Sequence, residues 1–183
     1  MRRSPTFLAA LLLTTSLGLV PATAASVHFK PPSGQPTFLD QGLALQAKGA
    51  LSGLGNVDLV VDLTATANVT ATCTNPAGAN QPPGRNPAPI TVAGSVAIPA
   101  SEIKNGNVAF TVTTTAPPST IAGAPGCPNP NWTERIEDLA FTTALIEVEQ
   151  PPGTTVLTIS CVFNPATING NVPTSSVSCS TSR

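Results

Sequence analysis

Val57-Asp58-Leu59-Val60-Val61-Asp62-Leu63-Thr64-Ala65-Thr66-Ala67-Asn68-Val69-Thr70-Ala71-Thr72-Cys73 carries an apolar residue at every odd position, and only Val60 interrupts the polar even positions. A period of two sustained this long belongs to a half-buried β-strand, because successive side chains of a strand point to opposite faces. A helix would need apolar residues three and four apart. The same alternation marks Leu43, Leu45, Ala47, Gly49 and Leu51. It recurs at Ile90, Val92, Gly94, Val96 and Ile98, at Val108, Phe110 and Val112, and at Leu157, Ile159, Cys161 and Phe163. Between Arg135 and Glu149 the phase changes. Leu139 and Phe141 are odd while Ile146 and Val148 are even, which predicts a β-bulge near Thr142–Ala144 that resets the face.

The connections divide into two kinds. Gly53-Leu54-Gly55-Asn56, Asn105-Gly106 and Pro151-Pro152-Gly153 are short turns, the last with Pro and Gly at the central positions of a type II turn. Thr74–Pro89 and Thr115–Asn131 are long and proline-rich, and Asn164–Ser175 is polar and reads as flexible. If successive strands alternate in direction, the short turns gather at one end of the domain and the three long loops at the other. About seven short strands at this spacing predict an all-β fold, an antiparallel β-sandwich of immunoglobulin-like type. The end rich in long loops is where such folds carry recognition.

Residues 1–25 read as a secretory signal peptide. Arg2 and Arg3 precede the apolar run Phe7–Val20, and Pro21-Ala22-Thr23-Ala24-Ala25 supplies a small-residue cleavage site. The apolar run is shorter than the ~20 residues that span a bilayer, and no later stretch is apolar enough, so no membrane insertion is expected once the signal is removed. Residues 26–41 form an N-terminal extension or edge strand, and 42–183 a single domain. The expected location is secreted and extracellular.

Charged residues make up 9% of the 183-residue chain, with 8 Lys or Arg against 9 Asp or Glu. An average soluble domain carries about 25%, so Thr, Ser, Asn and Gln must supply the polar surface here. Loss of Arg2 and Arg3 makes the mature chain more acidic. No basic cluster is present, so nucleic acid is not expected as a partner. Twenty prolines and no tyrosine agree with β-structure linked by proline-rich loops.

Four cysteines in an exported chain read as two disulfides with three possible pairings. Strand direction selects among them. Cys73 ends a strand at the long-loop end, and Cys127 sits in a loop there. Cys161 and Cys179 lie close together near another loop of that end. The expected bonds are Cys73–Cys127 and Cys161–Cys179. No C-x-x-C spacing points to redox chemistry or to metal binding.

Catalytic material is scarce, and no catalytic residue, metal ligand or cofactor site is assigned. The one histidine, His28, lies just past the cleavage site, where chains are often loose. Lys30, Lys48 and Lys104 sit in no recognisable setting. Asp58 with Asp62, and Glu147 with Glu149, share the polar faces of their strands and read as solvated charges that keep strands apart from one another. Paired carboxylates also hydrolyse glycosides or hold calcium, and Glu134, Glu137 and Asp138 make a third acidic group near the long-loop end. Trp132 follows Cys127-Pro128-Asn129-Pro130-Asn131. A tryptophan beside a disulfide reads first as a core plug and second as a ligand platform. Trp132, Arg85 and Asn131 are the candidate binding-loop residues. Asn68-Val69-Thr70 and Asn131-Trp132-Thr133 match the N-glycosylation sequon.

Gly53-Leu54-Gly55-Asn56, Cys73-Thr74-Asn75-Pro76, Pro83-Gly84-Arg85-Asn86-Pro87, Ile103-Lys104-Asn105-Gly106-Asn107 and Gly126-Cys127-Pro128-Asn129-Pro130-Asn131-Trp132 occur in this order. Together they resemble a group of uncharacterised small secreted β-domain proteins of soil bacteria. The resemblance spans roughly residues 43–148. It implies an exported small β-domain and no particular activity, and Cys161 and Cys179 lie outside it. The expected function is therefore a secreted, non-enzymatic protein that binds an extracellular macromolecule through its proline-rich loop end or serves in the cell envelope. The alternative is a secreted inhibitor of an extracellular hydrolase, and an enzyme comes third.

Overall fold

The computed structural model describes residues 26–30, 34–85 and 87–183. Residues 1–25, expected to be a signal peptide, lie outside the described residues. Twelve strands follow in order: β1 (His28–Phe29), β2 (Thr37–Asp40), β3 (Leu45–Ser52), β4 (Leu59–Thr74), β5 (Asn80–Gln81), β6 (Ile90–Ile98), β7 (Asn107–Thr113), β8 (Thr120–Ile121), β9 (Thr133–Glu149), β10 (Thr155–Phe163), β11 (Gly170–Asn171) and β12 (Val177–Ser182). Single turns of 3₁₀ helix lie at Ala100–Glu102 and Thr174–Ser176. No helix among the described residues is long and apolar enough to cross a membrane.

The strands form two sheets, and every pairing between them is antiparallel. In the first, β3 pairs with β2 and β1 along one edge and with β7 along the other, and β11 extends it beyond β2. The second runs β12-β10-β9-β4-β6, with β5 beside the end of β4 and β8 beside the start of β9. One hydrophobic core lies between them. It takes Leu45, Ala47 and Leu51 from β3 and Phe110 and Val112 from β7, facing Leu59, Val61 and Leu63 from β4 and Ile146, Leu157 and Ile159 from the other sheet. Every odd residue of β4 from Leu59 to Cys73 is buried, as the alternation requires. Val57 departs from it. At 47% exposure it lies outside the strand. Its carbonyl oxygen is held instead by the Gln150 side chain, which also bonds both backbone groups of Gly55 and so fixes the turn.

β9 crosses the fold with two bulges. Thr66 pairs with Thr143 and Ala67 with Phe141, so Thr142 is the extra residue, where the sequence predicted one. A second bulge falls at Glu137, between the pairs Thr70–Asp138 and Ala71–Ile136. Each bulge flips the inward face. The buried residues therefore run Glu134 and Ile136, then Leu139 and Phe141, then Ala144, Ile146 and Val148.

The two sheets meet at β6 and β7. Thr115 N–H donates to the Ala93 carbonyl at 2.8 Å. A Cβ on Gly94 would overlap the Thr113 carbonyl oxygen, so only glycine allows this approach. On the opposite side, the polar loop after β10 is tied down rather than loose. Thr167 N–H donates to the Phe141 carbonyl at 2.9 Å, its hydroxyl accepts the Phe141 N–H at 2.9 Å, and that hydroxyl donates to Asp40. β11 then pairs with β2, carrying the chain from one sheet to the other.

Candidate functional site

Following the strand directions, 53–58, 99–106 and 150–154 lie at one end of the sheets, and 41–44, 75–85, 87–89, 114–132 and 164–176 at the other. β4 and β9 run past the rest of their sheet at this second end. β6 leaves β4 at Ala67, yet β4 continues to Thr74 against β9. On the inner face of this projecting ribbon, Cys73 and Glu134 meet Cys127 and Gly126 of the second proline-rich loop.

The Cys73–Cys127 disulfide fastens that contact, with a Cα–Cα distance of 5.6 Å. Cys73 and Ile121 are the cross-strand neighbours of Glu134. The bond therefore holds Cys127, and with it Gly126, over the carboxylate. Gly126 N–H donates to Glu134 Oε2 at 3.0 Å. Gly84 N–H donates to the Gly126 carbonyl at 2.9 Å, which joins the two loops to each other. A Cβ on Gly126 would stand 2.5 Å from Glu134 Oε1 and 2.9 Å from the Arg85 carbonyl oxygen, so the absent side chain is what makes room for the carboxylate.

Glu134 is fully buried at 0% exposure, and its Oε1 has no hydrogen-bond partner among the described residues. It forms part of the wall of a cavity of about 270 Å³ whose other lining residues are Arg85, Pro87, Ala88, Ile121, Pro125 and Gly126. Arg85 is exposed on that wall. The site thus combines a buried acid, an exposed arginine and apolar walls.

Of the candidate binding-loop residues, Arg85 alone lines this cavity. Asn131 is exposed, its N–H donating to Asn129 Oδ1 at 3.1 Å. Trp132 is half-buried, its N–H donating to the Asn129 carbonyl at 3.2 Å, and it stands outside the hydrophobic core rather than plugging it. The Cys161–Cys179 bond joins residues directly opposite each other on β10 and β12 and fastens the last strand to its sheet.

The acidic residues are separated by the fold. The bulge at Glu137 turns Glu134 inward while Glu137 stays exposed. Asp138 lies near Gly42, with Oδ1 buried and unpartnered among the described residues. Asp40, 3% exposed, accepts the Gly42 N–H at 2.9 Å and the Thr167 hydroxyl. Burial pushes the Asp40 carboxyl above its ordinary value and nearby Asp138 adds to this, while the two hydrogen bonds oppose it. Asp58 accepts the Ala100 N–H at 2.8 Å, and Glu149 the Gly153 N–H at 2.7 Å, so both brace turns. Asp62 and Glu147 are cross-strand neighbours on the outer face. His28 is exposed, with Nδ1 2.8 Å from the Ser26 carbonyl oxygen. Among the described residues, no three His, Cys, Asp or Glu side chains gather as a metal ion requires.

Neither a protein-family model, nor a curated protein, nor a solved structure matches this chain.

Proposed function

We propose that the protein is an exported, non-enzymatic binding module of immunoglobulin-like architecture, which engages an extracellular macromolecule or a cell-envelope component through its disulfide-fastened loop end. The strand order supports the architectural part. β2-β3-β7 in one sheet and β6-β4-β9-β10 in the other follow the A-B-E and C′-C-F-G order of immunoglobulin domains, and β12 adds an outer strand. The kinship with small secreted β-domain proteins of soil bacteria belongs to the same reading.

One observation carries the functional part. The two longest proline-rich loops are bonded to each other and, through Cys73–Cys127, to the ribbon beneath them. Loops ordered before binding lose less conformational entropy on binding, so more of the contact energy appears as affinity. The test is capture from spent medium and cell walls, using the mature chain as bait. Capture should fall with Arg85→Ala/Asn131→Ala and persist with Asn56→Ala/Lys104→Ala at the opposite end. The reverse pattern would place the binding surface elsewhere.

A second reading rests on Pro128, Asn129, Pro130 and Asn131, which are exposed directly after the disulfide. An exposed turn, held by its own hydrogen bonds beside a disulfide, suits insertion into a hydrolase cleft, which makes an inhibitor the alternative. Absence of inhibition across the common classes of extracellular protease removes that alternative.

A further inference from the structure

We propose that the cavity at the fastened loop end binds a small zwitterion the size of one amino acid, with its ammonium group on Glu134 and its carboxylate on Arg85. This rests on the reading of that end as a binding surface, and it names the chemistry of one site there.

The buried acid is the strongest indication. A carboxylate oxygen taken out of water without a donor is costly, and most buried polar atoms have a partner. Glu134 Oε2 has the Gly126 N–H, whereas Oε1 has no donor among the described residues. An ammonium group supplies several N–H donors and the opposite charge, and the resulting bond is of the strong, charge-assisted kind. Oε1 is shielded as the side chain stands, so the ligand reaches it as the carboxylate turns toward the cavity.

Arg85 decides the other half of the ligand. Its guanidinium offers a planar fork that matches a carboxylate. A ligand with only a positive charge meets Arg85 unfavourably, and one with only a negative charge meets Glu134 unfavourably. A zwitterion satisfies both. Between the two charges, Pro87, Ala88, Ile121 and Pro125 present apolar surface, which suits an aliphatic body. The volume of about 270 Å³ is below the ~300–1,000 Å³ of sites for drug-sized molecules.

The experiment is a ¹H–¹⁵N NMR titration of the mature chain with three probes: leucine, 3-methylbutylamine, which lacks its carboxylate, and 4-methylpentanoate, which lacks its amine. Leucine should give saturable shifts at Arg85, Ala88, Ile121 and Gly126. The amine should bind roughly tenfold or more weakly, and the acid should not bind. Glu134→Gln, which keeps the shape and removes the charge, should weaken leucine roughly ten- to a hundredfold. Arg85→Ala should bring leucine down to the level of the amine, and because Arg85 is exposed this variant serves even if Glu134→Gln does not fold. No saturable shift with leucine, equal binding of leucine and 4-methylpentanoate, or leucine binding indifferent to both substitutions would overturn the proposal. If macromolecule capture still depends on Arg85 and Asn131 when leucine fails to bind, this inference falls and the binding-module reading stands.

Discussion

Replacing Cys73 and Cys127 together with alanine should leave the fold in place and loosen one end of it. The two residues are 54 apart in sequence. Closing a loop of that length restricts the unfolded chain by about 4 kcal/mol at 25 °C, on the loop-entropy model. In a domain of this size each kcal/mol shifts Tm by roughly 2–4 °C, so the variant should melt about 8 °C lower, with about 16 °C as the ceiling. The shorter separation of 18 residues between Cys161 and Cys179 gives about 3 kcal/mol by the same reasoning. Position distinguishes the two bonds more sharply than magnitude. The core pairs Leu63–Ile146 and Val61–Val148 lie far along β4 from Cys73, so the sheet should persist. The Gly126 and Gly84 hydrogen bonds depend on loops that the disulfide holds down. Thermal circular dichroism gives the loss of stability, and hydrogen–deuterium exchange gives its place. Protection should be lost first at 75–89 and 116–131. Unchanged exchange there, or earlier loss at 53–58 and 150–154, would refute the role assigned to this bond.

Three further outcomes are expected. Gly94→Ala should destabilise by more than the ~1–3 kcal/mol usual for overpacking, because the added Cβ meets the backbone of Thr113 rather than a side chain that can turn away; urea denaturation measures this. Asp40 has its carboxyl raised above 3.8 by burial, so its charge opposes folding at neutral pH, and stability should rise as pH falls through the folded value toward 3.8. Asp40→Asn should lose that part of the slope and be at least as stable as the parent at pH 7; a parent-like slope in urea melts at pH 4 and 7 would contradict it. The secreted chain should begin at Ser26 or Ala25, and N-terminal sequencing that finds Met1 would refute export by this signal.

How far residues alone reveal this fold depends on what marks each face. β4 was legible because apolar and polar residues alternate along its whole inner and outer surface. Val57 was not, because it continues the pattern numerically while Gln150 holds its backbone in a turn. The bulge at Thr142 left a trace, since Leu139 and Phe141 fall out of phase with Ile146 and Val148. The bulge at Glu137 left almost none, because Ile136 is the only apolar residue from Glu134 to Asp138. As a result Glu134, in phase with Ile136 and therefore inward, was indistinguishable from the solvated acids beside it. Counting back by two from Ile136 is the signal that could have found it. The loop after β10 hid its order for a related reason: Thr167 is held by hydrogen bonds to Asp40 and Phe141, partners distant in sequence. Disulfide pairing was legible because strand direction brings Cys73 and Cys127 to one end and leaves Cys161 and Cys179 close together in sequence near another loop.

The central claim is that the loop end fastened by Cys73–Cys127 is the functional surface. Hydrogen–deuterium exchange of the mature protein, measured free and with whatever it captures from its own spent medium or cell wall, tests this most directly. Bound protein should gain protection at 75–89 and 115–131, with the opposite end unchanged. Protection confined to 53–58, 99–106 and 150–154 would contradict the claim.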